Sequence, residues 1–249
     1  MEQKKIYEIY AGINGAGKST LYCLRGDESK LLNRVNSDEI LKENGGDWRS
    51  VSDQSRAMRE AVLRIKEYFR EGVSFNQEST LTGKSIISNI RKAKELGYSV
   101  QMYYVGLDSA DLAIQRVKNR VSEGGHGIDE PTIRSRYNTS LENLIEAVKL
   151  CDSVAVYDNS GMFKDVGRTE NGVWVEFDKQ CEWLNRTFPN VDLEKSGARE
   201  ADPGNAKESS PLMSMNSYKA RISEMKNAGN GKKPVAPEKI KGHRDKGGR

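Results

Sequence analysis

The sequence predicts an α/β domain: a mostly parallel sheet with helices on both faces. Short apolar runs rich in β-branched and aromatic residues alternate with stretches of helical period ten or more residues long, the pattern of strand–helix–strand units. A glycine-rich loop also stands between the first such strand and the first helix. The length of 249 residues suits one large domain or a smaller one with an appendage.

Taken in order, Ile6 to Ala11 reads as a short buried strand, Gly12 to Ser19 as a turn, and Thr20 to Arg25 as the opening of a helix. Leu31, Leu32 and Val35 mark a second strand. Asp53 to Arg70 carries Ala57, Ala61, Val62, Ile65 and Phe69 at spacings of three and four, one helical face, and Gly72 closes it. Val73 to Gln77 is the next strand, Ser85 to Leu96 a helix ended by Gly97, and Ser99 to Gly106 a further strand. Ser109 to Val121 and Pro131 to Leu150 are patterned as helices, with Pro131 at a permitted first-turn position. Ser153 to Tyr157 completes the buried strands, and Gly172 to Phe177 reads as an edge strand or hairpin arm.

The charge is unevenly spread. The formal net charge is +4, yet residues 205–249 hold 11 Lys and Arg against 4 Asp and Glu, leaving the rest net negative. Residues 1–190 therefore read as the folded domain, and 191–249 as a basic, mostly disordered tail too poor in large apolar groups to offset ordering entropy. Within it, Met215, Tyr218, Ile222 and Met225 share helical spacing, so 214–227 is a short docking helix or a transient one. No run approaches a membrane span and the N-terminus has no signal-peptide core, so a cytoplasmic protein without a membrane partner is expected. Cys23, Cys151 and Cys181 are far apart and odd in number, which predicts reduced packing residues and no structural metal.

Gly12-Ile13-Asn14-Gly15-Ala16-Gly17-Lys18-Ser19 satisfies G-x-x-x-x-G-K-[ST] in the strand-to-helix setting that a phosphate loop requires. Its glycines let successive backbone N–H groups turn inward around a phosphate at a helix N-terminus. Lys18 would reach the β- and γ-phosphates, Ser19 would place its hydroxyl on Mg²⁺, and Thr20 follows at the rim. The chain lacks a suitably placed N-K-x-D base reader or D-x-x-G switch, which excludes a GTPase. The apolar run Val154 to Tyr157 continues as Asp158-Asn159 and not as the Asp-Glu of an ABC ATPase.

A kinase needs an acidic group near the γ-phosphate and arginines for the transferring group. Asp38, in Asn36-Ser37-Asp38-Glu39, follows the second strand and is either a general base or part of a helix N-cap. Glu78 and Thr80 end the next strand at the same sheet edge, placed for substrate hydroxyls or a magnesium-bound water, or simply for a strand-to-loop transition. Arg116 and Arg120 share a helical face, the loop Gly124-Gly125-His126-Gly127 follows, and Arg134 and Arg136 open the next helix. This reads as a helical lid, or as a solvated charged helix with His126 in a surface loop.

In this order the segments GINGAGKS, NSDEI, FNQESTLTG, RVKNRVSEGGHGIDEPTIRSRY and VYDNSG resemble the zeta toxin family, P-loop kinases of bacterial toxin–antitoxin systems that phosphorylate UDP-N-acetylamino sugars with ATP. The resemblance spans about residues 4–165. It implies a P-loop kinase-like fold with a lid, ATP and Mg²⁺ as cofactors, a UDP-amino-sugar substrate (UDP-N-acetylglucosamine) and an antitoxin partner. It further implies Asp38 as general base, Lys18 and Arg120 on the transferring phosphate, Glu78 and Thr80 on substrate, and Asn159 near the adenine. The family's second phosphate-binding arginine corresponds to His126, Arg134 or Arg136. Two other readings are a P-loop kinase of a different hydroxyl substrate and a nucleic-acid-associated ATPase. Basic residues without interleaved aromatics give only nonspecific attraction, so a nucleic-acid partner is not expected.

Overall fold

The computed structural model of the chain describes residues 5–25, 29, 31–191 and 199–200. The expected tail and its 214–227 helix lie outside these residues, save for residues 191, 199 and 200.

The fold is α/β and P-loop kinase-like. Strands β1 (Ile6–Ala11), β2 (Asn33–Val35), β3 (Phe75–Ser79), β4 (Ser99–Gly106) and β5 (Ser153–Asp158) form a parallel array. An antiparallel hairpin, β6 (Lys164–Glu170) and β7 (Val173–Phe177), and the short β8 (Arg199–Glu200) extend it in the order β2-β3-β1-β4-β5-β6-β7-β8. The helices are α1 (Lys18–Leu24), α2 (Ser37–Glu43), α3 (Val51–Glu71), α4 (Lys84–Glu95), α5 (Ala110–Ser122), α6 (Glu130–Leu150) and α7 (Glu182–Thr187). Among the described residues no helix is long and apolar enough to cross a membrane.

Alternation along β1 divides the two faces. Tyr7, Ile9 and Ala11 join Phe75, Val100, Met102 and Tyr104 in a core that receives Phe69 of α3, Ile90 of α4 and Leu144 of α6. Tyr7 stacks on Phe75 with ring centroids 4.5 Å apart. Tyr10 points to the opposite face, where α1 brings Tyr22 against it edge-on at 5.2 Å. Both faces carry helices, as the alternating pattern predicts.

The sequence reading omits β6, α7 and the two-residue β8, which pairs with β7 inside the segment read as the tail. Gly172–Phe177 is indeed a hairpin arm, but its partner KDVGRTE alternates too weakly to be read as a strand. α7 has six residues, too few for a period, and is held by Trp183, which is fully buried and donates from Nε1 to Asp158 Oδ1 at 3.0 Å.

Gly106 at the end of β4 makes room for that indole. A Cβ there would lie inside its ring, 2.7 Å from Cε2 and nearer still to Cζ2 and Cη2. Gly106→Ala is therefore expected to lower unfolding free energy by about 1–3 kcal/mol, the usual cost of overpacking, as read by chemical denaturation. Unchanged stability would mean that Trp183 repacks freely.

Candidate active site

Strand order builds the site. Because β3 lies directly beside β1, with Tyr10 opposite Glu78 and Ala11 opposite Ser79, the end of β3 meets the loop that leaves β1. Ligands of open α/β sheets lie at this carboxyl edge. In the loop, Gly12 and Gly17 take φ of 136° and 103°, conformations that side chains rarely adopt. A Cβ on Gly17 would also stand 2.6 Å from Asn159 Nδ2.

Asn159 touches the glycine-rich loop directly. Its Nδ2 donates to Ala16 O at 2.8 Å, and its carbonyl accepts from Arg116 Nη2 at 2.6 Å. Asp158 anchors the turn by accepting from Ser160 Oγ at 2.6 Å and from Trp183. Arg116 and Trp183 thus hold Asn159 in place, roles the sequence alone does not reveal. The faint signal for Arg116 is its place four residues before Arg120 on the same helical face.

Lys18, the first residue of α1, is 8% exposed. Its Nζ donates to Ile13 O at 3.1 Å and lies 3.9 Å from Glu78 Oε1. Burial lowers its pKa from the ordinary lysine value, Glu78 and Asp38 pull it back up, and Arg120 and Arg136 push it down. Those five charges therefore share one field, although they come from α1, α2, β3, α5 and α6.

Glu78 is the most heavily bonded of them. Ser19 Oγ donates to both its oxygens at 3.1 and 3.0 Å, Arg34 Nη2 to Oε2 at 2.7 Å, and Asn36 Nδ2 to Oε2 at 3.0 Å. These contacts tie Glu78 to the nucleotide loop. Thr80, just past the end of β3, bonds Thr82 at 2.8 Å. Arg34 lies over the Tyr22 ring at 3.7 Å, and only the adjacency of β2 and β3 shows that it serves Glu78.

Of the two alternatives for Asp38, the structure speaks to the cap. The cap of α2 is Asn36, whose side chain accepts from the Asp38 backbone N–H at 2.9 Å, so neither Ser37 nor the Asp38 carboxylate serves as the cap. The Asp38 side chain is exposed at the sheet edge, within electrostatic reach of Lys18, His126 and Arg136.

The arginines also sort themselves. Arg134 is exposed and pairs with Asp111 at 2.5 Å, away from the loop. Arg136, two residues on, is half-buried and donates from Nη1 to Asn14 Oδ1 at 2.9 Å, and burial lowers its pKa. Arg120 is half-buried with Nε and Nη2 fully enclosed and without hydrogen-bond partners. Buried guanidinium nitrogens are costly unless paired, and the oxygens of a phosphoryl group are suitable acceptors. The His126 ring packs at a tilt against Trp48, with centroids 5.5 Å apart.

No family profile matches the sequence. Over 137 residues it is 34% identical to an uncharacterized protein of Haemophilus influenzae, an alignment covering 55% of this chain and 94% of that one. The chain belongs to that protein's family. Among solved structures, the AvrRxo1-ORF1:ORF2 complex with ATP is similar at a TM-score of 0.57 and 17% identity, over 89% of this chain and 76% of that one. The PezAT chromosomal toxin–antitoxin system of Streptococcus pneumoniae gives a TM-score of 0.48 and 18% identity, over 64% of this chain and 69% of that one. At these identities the likeness is one of fold.

Proposed function

We propose that this chain is an ATP-dependent phosphotransferase of the zeta-toxin kind, which moves the γ-phosphate of ATP to a hydroxyl of a UDP-N-acetylamino sugar, UDP-N-acetylglucosamine. The observation that carries the reading is the convergence of Lys18, Asp38, Arg120 and Arg136 at the mouth of a phosphate loop, with two Arg120 nitrogens lacking partners. The motif resemblance supplies the sugar nucleotide. It also supplies the toxin role and an antitoxin partner, and we place the reaction in the cytoplasm, where both nucleotides are made. The solved neighbour with ATP is itself a complex of two chains.

In this reading the backbone N–H groups of residues 12–19 and the Lys18 ammonium hold the β- and γ-phosphates. Gly12, Asn14, Gly15, Ala16, Gly17 and Thr20 line that cradle, and Asn159 bounds the nucleobase. A hydroxyl with a carboxylate bonded behind it suits a hard divalent cation, so Ser19 would ligate Mg²⁺ and Glu78 would support it. The ion would neutralise charge between the β- and γ-phosphates. Glu78 is thereby better placed at the metal than at the acceptor, which leaves Thr80, His126 and Arg136 on the acceptor side.

Asp38 takes the proton of the acceptor hydroxyl as its oxygen bonds the γ-phosphorus and the bond to the β–γ bridging oxygen breaks, releasing ADP. Lys18, Arg120 and Arg136 stabilise the charge spread over the moving group, and the lid residues exclude water from it. The test is a panel of UDP-sugars, nucleosides and 5′-hydroxyl RNA with Mg²⁺ and ATP, read by mass spectrometry. UDP-N-acetylglucosamine is expected to gain one phosphate. A gain on another hydroxyl alone would overturn the sugar assignment, and ATP hydrolysis stimulated only by nucleic acid would overturn the kinase reading.

A further inference from the structure

We propose that Trp48, in the loop between α2 and α3, is a positioning residue for the acceptor side: by packing its indole at a tilt against the His126 ring it fixes the lid loop above Asp38. The inference builds on the kinase reading, but its central test does not need turnover.

The loop from Gly124 to Gly127 is compressed between two neighbours. A Cβ on Gly125 would stand 2.5 Å from Arg120 Cγ and 2.9 Å from Arg120 O, and one on Gly127 would stand 2.6 Å from Trp48 Cη2, 2.9 Å from Cζ3 and 2.9 Å from Val121 Cγ2. Neither residue has a positive φ. Their need for glycine is therefore close approach and not backbone conformation. His126, held between them, has its ring 5.5 Å from the indole at an interplanar angle of 35°.

Trp48 is itself fixed from its own side. Arg49 covers the indole at 4.3 Å, Gln54 Nε2 donates to the Trp48 carbonyl, and Asp53 Oδ2 accepts from Asp47 N–H at 3.1 Å. Asp53 and Gln54 lie in the first turn of α3, which Ser50 caps. The contact thus ties the lid to the rigid start of a 21-residue helix. Lid and α2 would otherwise be free to part, and a hydroxyl between them would lose the alignment with Asp38 that proton transfer needs.

The charged groups facing His126 are Asp38 of α2, Arg120 of α5 and Arg136 of α6, with Arg49 across the indole. Burial lowers the imidazole pKa from 6.5, Asp38 raises it, and the two arginines lower it further. A neutral ring at neutral pH offers one donor and one acceptor nitrogen to a substrate.

The experiment is an NMR titration of the histidine Cε1–H in the full chain, whose other histidine is His243; His126→Gln assigns the signal. The wild-type residue is expected to titrate below 6.5, Trp48→Phe to stay there, and Trp48→Ala to move up towards the ordinary value. An unmoved His126 in folded Trp48→Ala overturns the proposal. Should that variant fail to fold, Gly127→Ala takes its place. Its shift is expected to be large alone and smaller beside Trp48→Phe, which lacks the outer indole atoms; equal shifts in both backgrounds overturn the proposal. With UDP-N-acetylglucosamine as acceptor, Trp48→Ala is expected to raise the acceptor KM about tenfold with the KM for ATP unchanged. Absence of turnover with wild-type protein would count against the sugar assignment alone, because the titration still decides the role of Trp48.

Discussion

Lys18→Ala is expected to abolish phosphoryl transfer, a loss of at least about a thousandfold, while the protein melts near the wild-type temperature. The ammonium is the one side-chain cation inside the phosphate loop, and a pre-placed donor to a developing charge is worth about two to three orders of magnitude even where neighbours remain. Stability is spared because the buried cation is itself held below its ordinary pKa by desolvation. Its partner Glu78 keeps Arg34, Asn36 and Ser19 after the change. Lys18→Arg should not restore activity, since a planar fork cannot replace a compact ammonium in a tight loop. The lowered pKa adds a pH signature of definite sign. Transfer is lost as Lys18 gives up its proton, so the alkaline limb of kcat/KM for ATP should fall below the 10.5 of an ordinary lysine. Unimpaired transfer by Lys18→Ala would remove the phosphate-loop kinase reading. A normal rate with a large drop in melting temperature would make Lys18 structural.

How much of this was legible in the sequence depended on whether the deciding contact was local. The central strands announce themselves because both faces are buried, so SVQMYYVG reads as an apolar run interrupted only by Gln101 after its opening serine. β6 is half-exposed in a hairpin, and Val166 is the one apolar side chain in its KDVGRTE, too few to set up an alternation. α7 is anchored by two buried residues, Leu184 and Trp183, and the latter's partners Gly106 and Asp158 lie 77 and 25 positions earlier. Nothing in EWLNRT indicates them.

The site divides along the same line. The phosphate loop is contiguous, so its chemistry follows from eight adjacent residues. Arg134 and Arg136 look equivalent in a string of letters, yet residues two apart on a helix face different ways, and only the second reaches Asn14. Glu78 was placed at the right edge but with an open choice of partner, because its bond to Ser19 depends on β3 lying next to β1. For Asp38 a single side-chain contact, Asn36 accepting its backbone N–H, removes the capping alternative. Trp48 carries no motif. Its relevance comes from a fold that brings residues 48 and 126 together.

Asp38→Asn is expected to retain ATP binding and stability while slowing transfer by about two to four orders of magnitude, the scale of a removed general base. The substitution is nearly isosteric and leaves the α2 cap untouched, because Asn36 accepts the Asp38 backbone N–H and the backbone is unchanged. A loss of the helix cap is thereby excluded as the cause of lost activity. Asparagine also removes one charge that raises the pKa of Lys18. That side effect is separable, because it would weaken ATP binding at high pH whereas loss of the base slows the chemical step at saturating ATP. The measurements are single-turnover transfer rates and ATP affinity for both proteins across pH. A rate within a few fold of wild type would exclude Asp38 as the base. Glu78, the other carboxylate near Lys18, is an unsuitable heir, since both its oxygens already accept from Ser19, Arg34 and Asn36. In that event the acceptor would have to arrive already deprotonated, or surrender its proton directly to a phosphate oxygen.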